Sequence, residues 1–119
     1  MNPLNLFRNE PATRTVVAGE AVFQEGEPAD AMYVVLEGEV DVVRKGQVIE
    51  TVGPGGIVGE MALIEQEAPR SATAVARSPV RLAAVSHQRF TFLVQQTPGF
   101  AIHVMRVLVD RLRRTTQRV

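Results

Sequence analysis

Apolar residues come in short runs cut by glycine over the first two thirds of the chain, and recur every three or four positions over the last third. From Tyr33 to Val43 the run Tyr-Val-Val-Leu-Glu-Gly-Glu-Val-Asp-Val-Val opens apolar and then alternates with acids, which predicts strand with Glu37, Glu39 and Asp41 toward solvent. Arg44-Lys45-Gly46-Gln47 predicts a hairpin turn into a strand over Val48 to Val52, and Gly19, Gly26-Glu27-Pro28 and Gly53-Pro54-Gly55-Gly56 supply further turns. Later strands are predicted over Ala72 to Ala76 and Val80 to Val85, separated by Ser78-Pro79. Many short strands at regular turn spacing argue for a sandwich or barrel rather than parallel βαβ units, and a jelly roll, the double-stranded β-helix, fits best.

The period changes at His87. Between Gln88 and Gln95, Phe90, Leu93 and Val94 fall on one face of a short helix, and Thr97-Pro98-Gly99 interrupts it with a start signal for a long one. In that second helix Ala101, Met105, Leu108, Leu112, Thr115 and Val119 follow heptad spacing, beside a second apolar stripe of Phe100, Val104 and Val107. Two arrangements fit: one face on the barrel and the other on a second copy of the chain, or a single wide stripe on the core.

With 119 residues, 45% of them hydrophobic and 22% charged, the chain suits one compact domain with its own core: a β-roll over about 16–86 and helices over about 87–119. No apolar run is long enough to cross a bilayer, and Asn2 to Arg14 is mixed and polar rather than a secretory leader, so a soluble cytoplasmic protein without membrane partners is expected. The absence of cysteine excludes disulfides, thiolate metal sites and a cysteine nucleophile. Thirteen basic residues balance thirteen acidic ones, which argues against nucleic-acid binding. Arg106, Arg111, Arg113, Arg114 and Arg118 crowd the C-terminal stretch, where cations favour the helix dipole.

The candidate chemistry sits in Gly53 to Thr73. Its glycines allow close backbone approach, and Met61 to Ile64 reads as a single helical turn whose free amides suit an anion. Arg70 offers a permanently charged planar fork for a phosphate and Ser71 a hydroxyl donor. Glu60 would be repelled by that phosphate and is better placed a few ångströms away, accepting from a hydroxyl such as a ribose 2′-OH. Each has a plainer alternative: Glu60 offsetting a dipole, Arg70 paired on the surface with Glu65 or Glu67, Ser71 an ordinary strand residue. The ordered combination favours a sugar-phosphate site.

Gly59-Glu60-Met61-Ala62-Leu63-Ile64 followed by Pro69-Arg70-Ser71-Ala72-Thr73 resembles the phosphate-binding cassette of cyclic-nucleotide-binding domains, which occur in the catabolite activator protein, kinase regulatory subunits and gated channels. Phe23 to Gly38 is similar to that family's opening strands. The resemblance implies a β-roll capped by helices, with Glu60 on the ribose hydroxyl, Arg70 and Ser71 on the cyclic phosphate, and backbone groups of Gly59, Met61 and Ala62 on phosphate and sugar. The ligand implied is cyclic AMP, with cyclic GMP open because these residues read only sugar and phosphate. The helical tail is similar to the activator branch, which implies a homodimer through the long helix and places Thr115 and Thr116 where that branch meets the adenine; a pair of threonines at a fraying terminus is the alternative. Val58 departs from the family, which commonly carries an aromatic there, and the sequence stops at Val119, before that branch's helix-turn-helix would begin.

Rival functions find less support. His87 and His103 have no acid or nucleophile at a recognisable spacing, no Lys-Ser or Lys-Thr completes a P-loop after Gly59, and neither histidine falls in the strand region where a metal-binding cupin needs its ligands. No cofactor, metal site or enzyme activity is expected. The alternatives kept are a dimerisation module without ligand, and a regulatory piece of a larger transcription factor, kinase or channel.

Overall fold

The computed structural model describes residues 2–65 and 67–117, with side chains through Arg114. Eight strands form two four-stranded antiparallel sheets. One has the order β1 (Arg14–Val16), β8 (Val80–Ser86), β3 (Ala31–Glu37), β6 (Ile57–Val58); the other has β2 (Ala21–Phe23), β7 (Thr73–Ala76), β4 (Val40–Arg44), β5 (Gln47–Val52). The jelly-roll expectation holds. Its helices are α1 (Pro3–Leu6), α2 (His87–Gln96) and α3 (Pro98–Gln117), and none among the described residues is long and apolar enough to cross a membrane.

Sequence order and sheet order differ because the stretch read as one strand over Tyr33–Val43 is two. Gly38, at φ 84°, turns the chain against the Pro79 carbonyl with no room for a side chain, so β3 and β4 enter different sheets. Six consecutive residues of β3 are buried because both of its faces are covered. Tyr33 and Val35 point into the core between the sheets with Phe23, Val40, Val58 and Leu82. Met32, Val34 and Leu36 point the other way, onto Phe7, Leu63, Phe100 and Val104. Glu37 and Glu39 are exposed, whereas Asp41 is partly covered and accepts from the Thr51 hydroxyl at 2.7 Å. The predicted hairpin turn joins β4 to β5, with Lys45 and Gly46 both at positive φ.

Each helix has a local cause. Ser86 caps α2, its hydroxyl accepting from the Arg89 N–H at 3.2 Å, so the helix starts at His87, one residue before the expected Gln88. Pro98 opens α3 as the sequence predicts. The N-terminal segment, read only as mixed and polar, forms α1 with an Asn2 side-chain cap on the Leu4 N–H and Pro3 at its first position. It drives Phe7 edge-on into Phe100 at 6.1 Å between ring centroids, and Phe90 joins from α2 at 6.0 Å.

On α3 the stripe Phe100, Val104 and Val107 lies on the barrel, as expected for one of two faces. The heptad seam is corrected at two of its positions, while its members Met105 and Leu112 are exposed as expected. Leu108 packs on the same core and Ala101 is partly covered, while Ile102, Met105, Val109 and Leu112 are exposed at 47%, 56%, 45% and 68%. The face left open is thus rotated from the one the heptad count selects, and Val119 lies outside the described residues.

Candidate functional site

The site begins where β6 ends. Val58 pairs with Tyr33, and Gly59 at φ 75° turns the chain into a 3-10 turn over Glu60–Leu63. Beyond it the loop returns beside residues 26–29. Pro69 bridges Pro28, the Arg70 N–H donates to the Glu27 carbonyl at 2.8 Å, and the Arg70 carbonyl accepts from Gly26 at 2.9 Å. These bonds fix the Arg70 backbone, and its side chain turns inward.

Arg70 is 5% exposed, which excludes the surface-charge alternative. Its guanidinium lies over the Phe23 ring at 4.1 Å and donates to the Ala31 carbonyl at 2.7 Å, the Gly59 carbonyl at 3.3 Å and the exposed Asp30 carboxylate at 3.4 Å. Its Nε is buried without a hydrogen-bond partner among the described residues. Burial pushes the Arg70 guanidinium below its ordinary value, opposed by Tyr33, Asp30, Glu27 and Glu60, and an arginine still keeps its charge. A buried cation with an unmatched donor is uncommon in folded proteins.

Glu60 is 9% exposed and pairs through Oε2 with Arg111 Nη1 of α3 at 2.6 Å. Arg111 also grips Glu50 of β5 with Nε at 2.9 Å and Nη2 at 3.2 Å, and donates to the Ile57 carbonyl. Desolvation works to lower Arg111, yet the bonds and charges of Glu50 and Glu60 outweigh it and hold its pKa above the ordinary value.

These groups border a cavity of about 670 Å³ lined by β2, β4, β5, the cassette and α3. Arg70, Gly59 and Ser71 lie on its wall together with Glu60 and Met61, and Val42, Ile49, Ile64, Leu108 and Leu112 contribute apolar surface. Among the described residues, Arg44, Arg70, Arg111 and Arg114 and Glu50, Glu60 and Glu65 lie on its wall, so both signs of charge meet there. Of the expected site residues, Gly59, Glu60, Met61, Arg70 and Ser71 are brought together. Ala62 is not on the wall: it is 2% exposed and its N–H donates to the Gly59 carbonyl at 3.2 Å. The side chains of Thr115 and Thr116 lie outside those described.

Sequence reasoning missed Arg111 and Glu50. Reading the C-terminal arginines as dipole partners is corrected for Arg111, which faces inward onto two carboxylates. A signal existed: Arg111 falls four residues after Val107 and seven after Val104, in register with the barrel-facing stripe. Among the described residues no group of three or more His, Asp or Glu side chains could hold a metal ion.

Comparison with known proteins matches residues 13–97 to the family described as the cyclic nucleotide-binding domain. A cyclic nucleotide-gated potassium channel of Mesorhizobium japonicum is 40% identical over 98 residues, covering 82% of this chain and 27% of that protein. A CRP-like cAMP-activated global transcriptional regulator of Mycobacterium tuberculosis is 29% identical over 102 residues, covering 82% of this chain and 45% of the regulator. The solved catabolite activator protein of Thermus thermophilus superposes with a TM-score of 0.79 at 31% identity, over 89% of this chain and 52% of that one. The chain therefore spans about a quarter to a half of these relatives.

Proposed function

The chain belongs to the cyclic nucleotide-binding domain family, and from that premise we propose that it is a non-catalytic sensor whose cavity takes a cyclic purine nucleotide, with cyclic AMP the first ligand to test. The observation that carries this reading is Arg70, a buried cation with an unmatched Nε on the wall shared by Gly59 and Ser71. In the proposed complex Arg70 and the Ser71 hydroxyl hold the cyclic phosphate, assisted by backbone groups of Gly59 and Met61. Glu60 accepts from the ribose 2′-hydroxyl, the apolar wall takes the base, and Thr115 or Thr116 meets its edge. Ala62 supports the turn from behind. The cytoplasm is the proposed setting, and regulation of a larger effector, whether channel, kinase or transcription factor, is the proposed role.

Cyclic AMP at a hundredfold excess over its dissociation constant should stabilise the fold by about 2.7 kcal/mol, read as a rise of several degrees in melting temperature. Linear 5′-AMP, with its extra charge and open ring, should give much less. No shift with cyclic AMP or cyclic GMP at millimolar concentration would refute the sensor reading.

The exposed row Ile102, Met105, Val109 and Leu112 supports a second element of the proposal. Its 3-4-3 spacing is that of a helix seam, so a second copy of the chain is the proposed partner. Leu112 lies both on this row and on the cavity wall, so in this proposal the seam and the ligand site adjoin.

A further inference from the structure

We propose that Glu50 is a positioning residue for the site: it fixes the plane of the Arg111 guanidinium so that Glu60 keeps one carboxylate oxygen for ligand. The inference rests on the nucleotide reading above and adds a residue outside the cassette.

Glu50 reaches the cavity through a break in strand pairing. Val42 pairs with Glu50 but Val43 pairs with Val48, so the β4–β5 ladder slips at Ile49. In a regular strand neighbouring side chains face opposite ways. Here Ile49 and Glu50 both line the cavity, the re-aiming expected of a bulge. Glu50 then meets α3 as a fork, Oε1 on Arg111 Nε and Oε2 on Nη2, with Arg114 Nη2 3.7 Å from Oε2. Two parallel bonds define the guanidinium plane in a way that one bond cannot.

The consequence falls on Glu60. With Nε and Nη2 taken by Glu50, Arg111 offers Glu60 its Nη1 edge and engages Oε2. Oε1 is the oxygen that this contact leaves for a ribose hydroxyl. Without the grip of Glu50, Nη2 keeps its bond to the Ile57 carbonyl but Nε is released, so the guanidinium can pivot about that bond and take both oxygens of Glu60 in a fork of its own, and the acceptor for ribose is lost.

The test compares cyclic AMP with its 2′-deoxy analogue on wild type, Glu50→Gln and Arg111→Lys, by calorimetric titration. Wild type should favour the ribonucleotide by about tenfold, the value of one charge-assisted hydrogen bond. Glu50→Gln keeps the side chain's size but loses the charged fork, so that ratio should fall at least threefold, mostly by weaker binding of the ribonucleotide. Arg111→Lys, which cannot bridge two carboxylates with one planar group, should give a similar fall. Equal weakening of both ligands, or an unchanged ratio in both variants, overturns the inference. A wild type that binds neither nucleotide refutes the nucleotide reading instead. The grip is then judged by hydrogen exchange across residues 104–114, which Glu50→Gln accelerates if Glu50 holds α3 and leaves unchanged if it does not.

Discussion

Gly59→Ala isolates the close approach on which the Arg70 geometry depends. Gly59 sits at φ 75°, where an L-residue is strained, and a Cβ built there would lie 2.6 Å from Arg70 Nη1 and 3.0 Å from Phe23 Cε2. The conformational penalty is on the order of 1 kcal/mol. Moving Nη1 away from the Gly59 carbonyl loses a charge-assisted bond of about 1.5 kcal/mol, for a total of ~2.5 kcal/mol. In a domain of this size that lowers the melting temperature by roughly 10 °C. Gly46 is the internal control. It has the same φ of 75° with nothing within 4 Å of a built Cβ, so Gly46→Ala carries the conformational penalty alone. Its melting temperature should drop by about 4 °C with cyclic-nucleotide affinity intact. Differential scanning calorimetry of both variants, with and without cyclic AMP, measures the difference. Equal losses at the two positions, or a Gly59→Ala protein that binds cyclic AMP as wild type does, would refute the claim that this glycine makes room for Arg70.

Assembly is tested on the corrected face of α3: Met105→Glu should convert a homodimer to a monomer in sedimentation equilibrium with the melting temperature of the barrel retained, and a wild-type monomer at high concentration removes the seam. Burial, joined by neighbouring positive charge including Arg106, holds His103 below its ordinary value. The folded state therefore binds fewer protons there than the unfolded chain, so this contribution is intact above the unfolded pKa of about 6.5 and is lost as pH falls through it toward the folded value. Melting temperature should drop across that window in wild type and less so in His103→Gln; parallel pH profiles would contradict the assignment.

The β-roll was legible because its turns carry glycine and proline at the right spacing and the stretch from Leu36 to Val42 alternates apolar residues with acids. The break at Gly38 was not, since Glu-Gly-Glu inside an alternating run looks like strand, and only the contact with Pro79 makes it a corner. α1 was missed although Asn2-Pro3 is a cap followed by a first-turn proline; four residues give too little periodicity, and what stabilises the segment is the distant Phe100. In the site, Gly59, Glu60, Arg70 and Ser71 were legible because local chain order carries them. Glu50 and Arg111 are 61 residues apart in sequence and become partners only through a bulge and a docked helix, a pairing no local pattern encodes. The seam error has a similar origin. Heptad counting cannot say which of two adjacent stripes the barrel covers, and Leu108 went to the barrel.

The central claim is that Arg70 holds the phosphate of a cyclic nucleotide. Calorimetric titration of wild type and Arg70→Lys with cyclic AMP and cyclic GMP tests it most directly. Wild type should bind one nucleotide per chain, and Arg70→Lys should lose at least about tenfold in affinity, because an ammonium cannot reproduce the planar fork of a charge-assisted bidentate contact. Undiminished affinity in Arg70→Lys, or no saturable heat from wild type with either nucleotide, would contradict it.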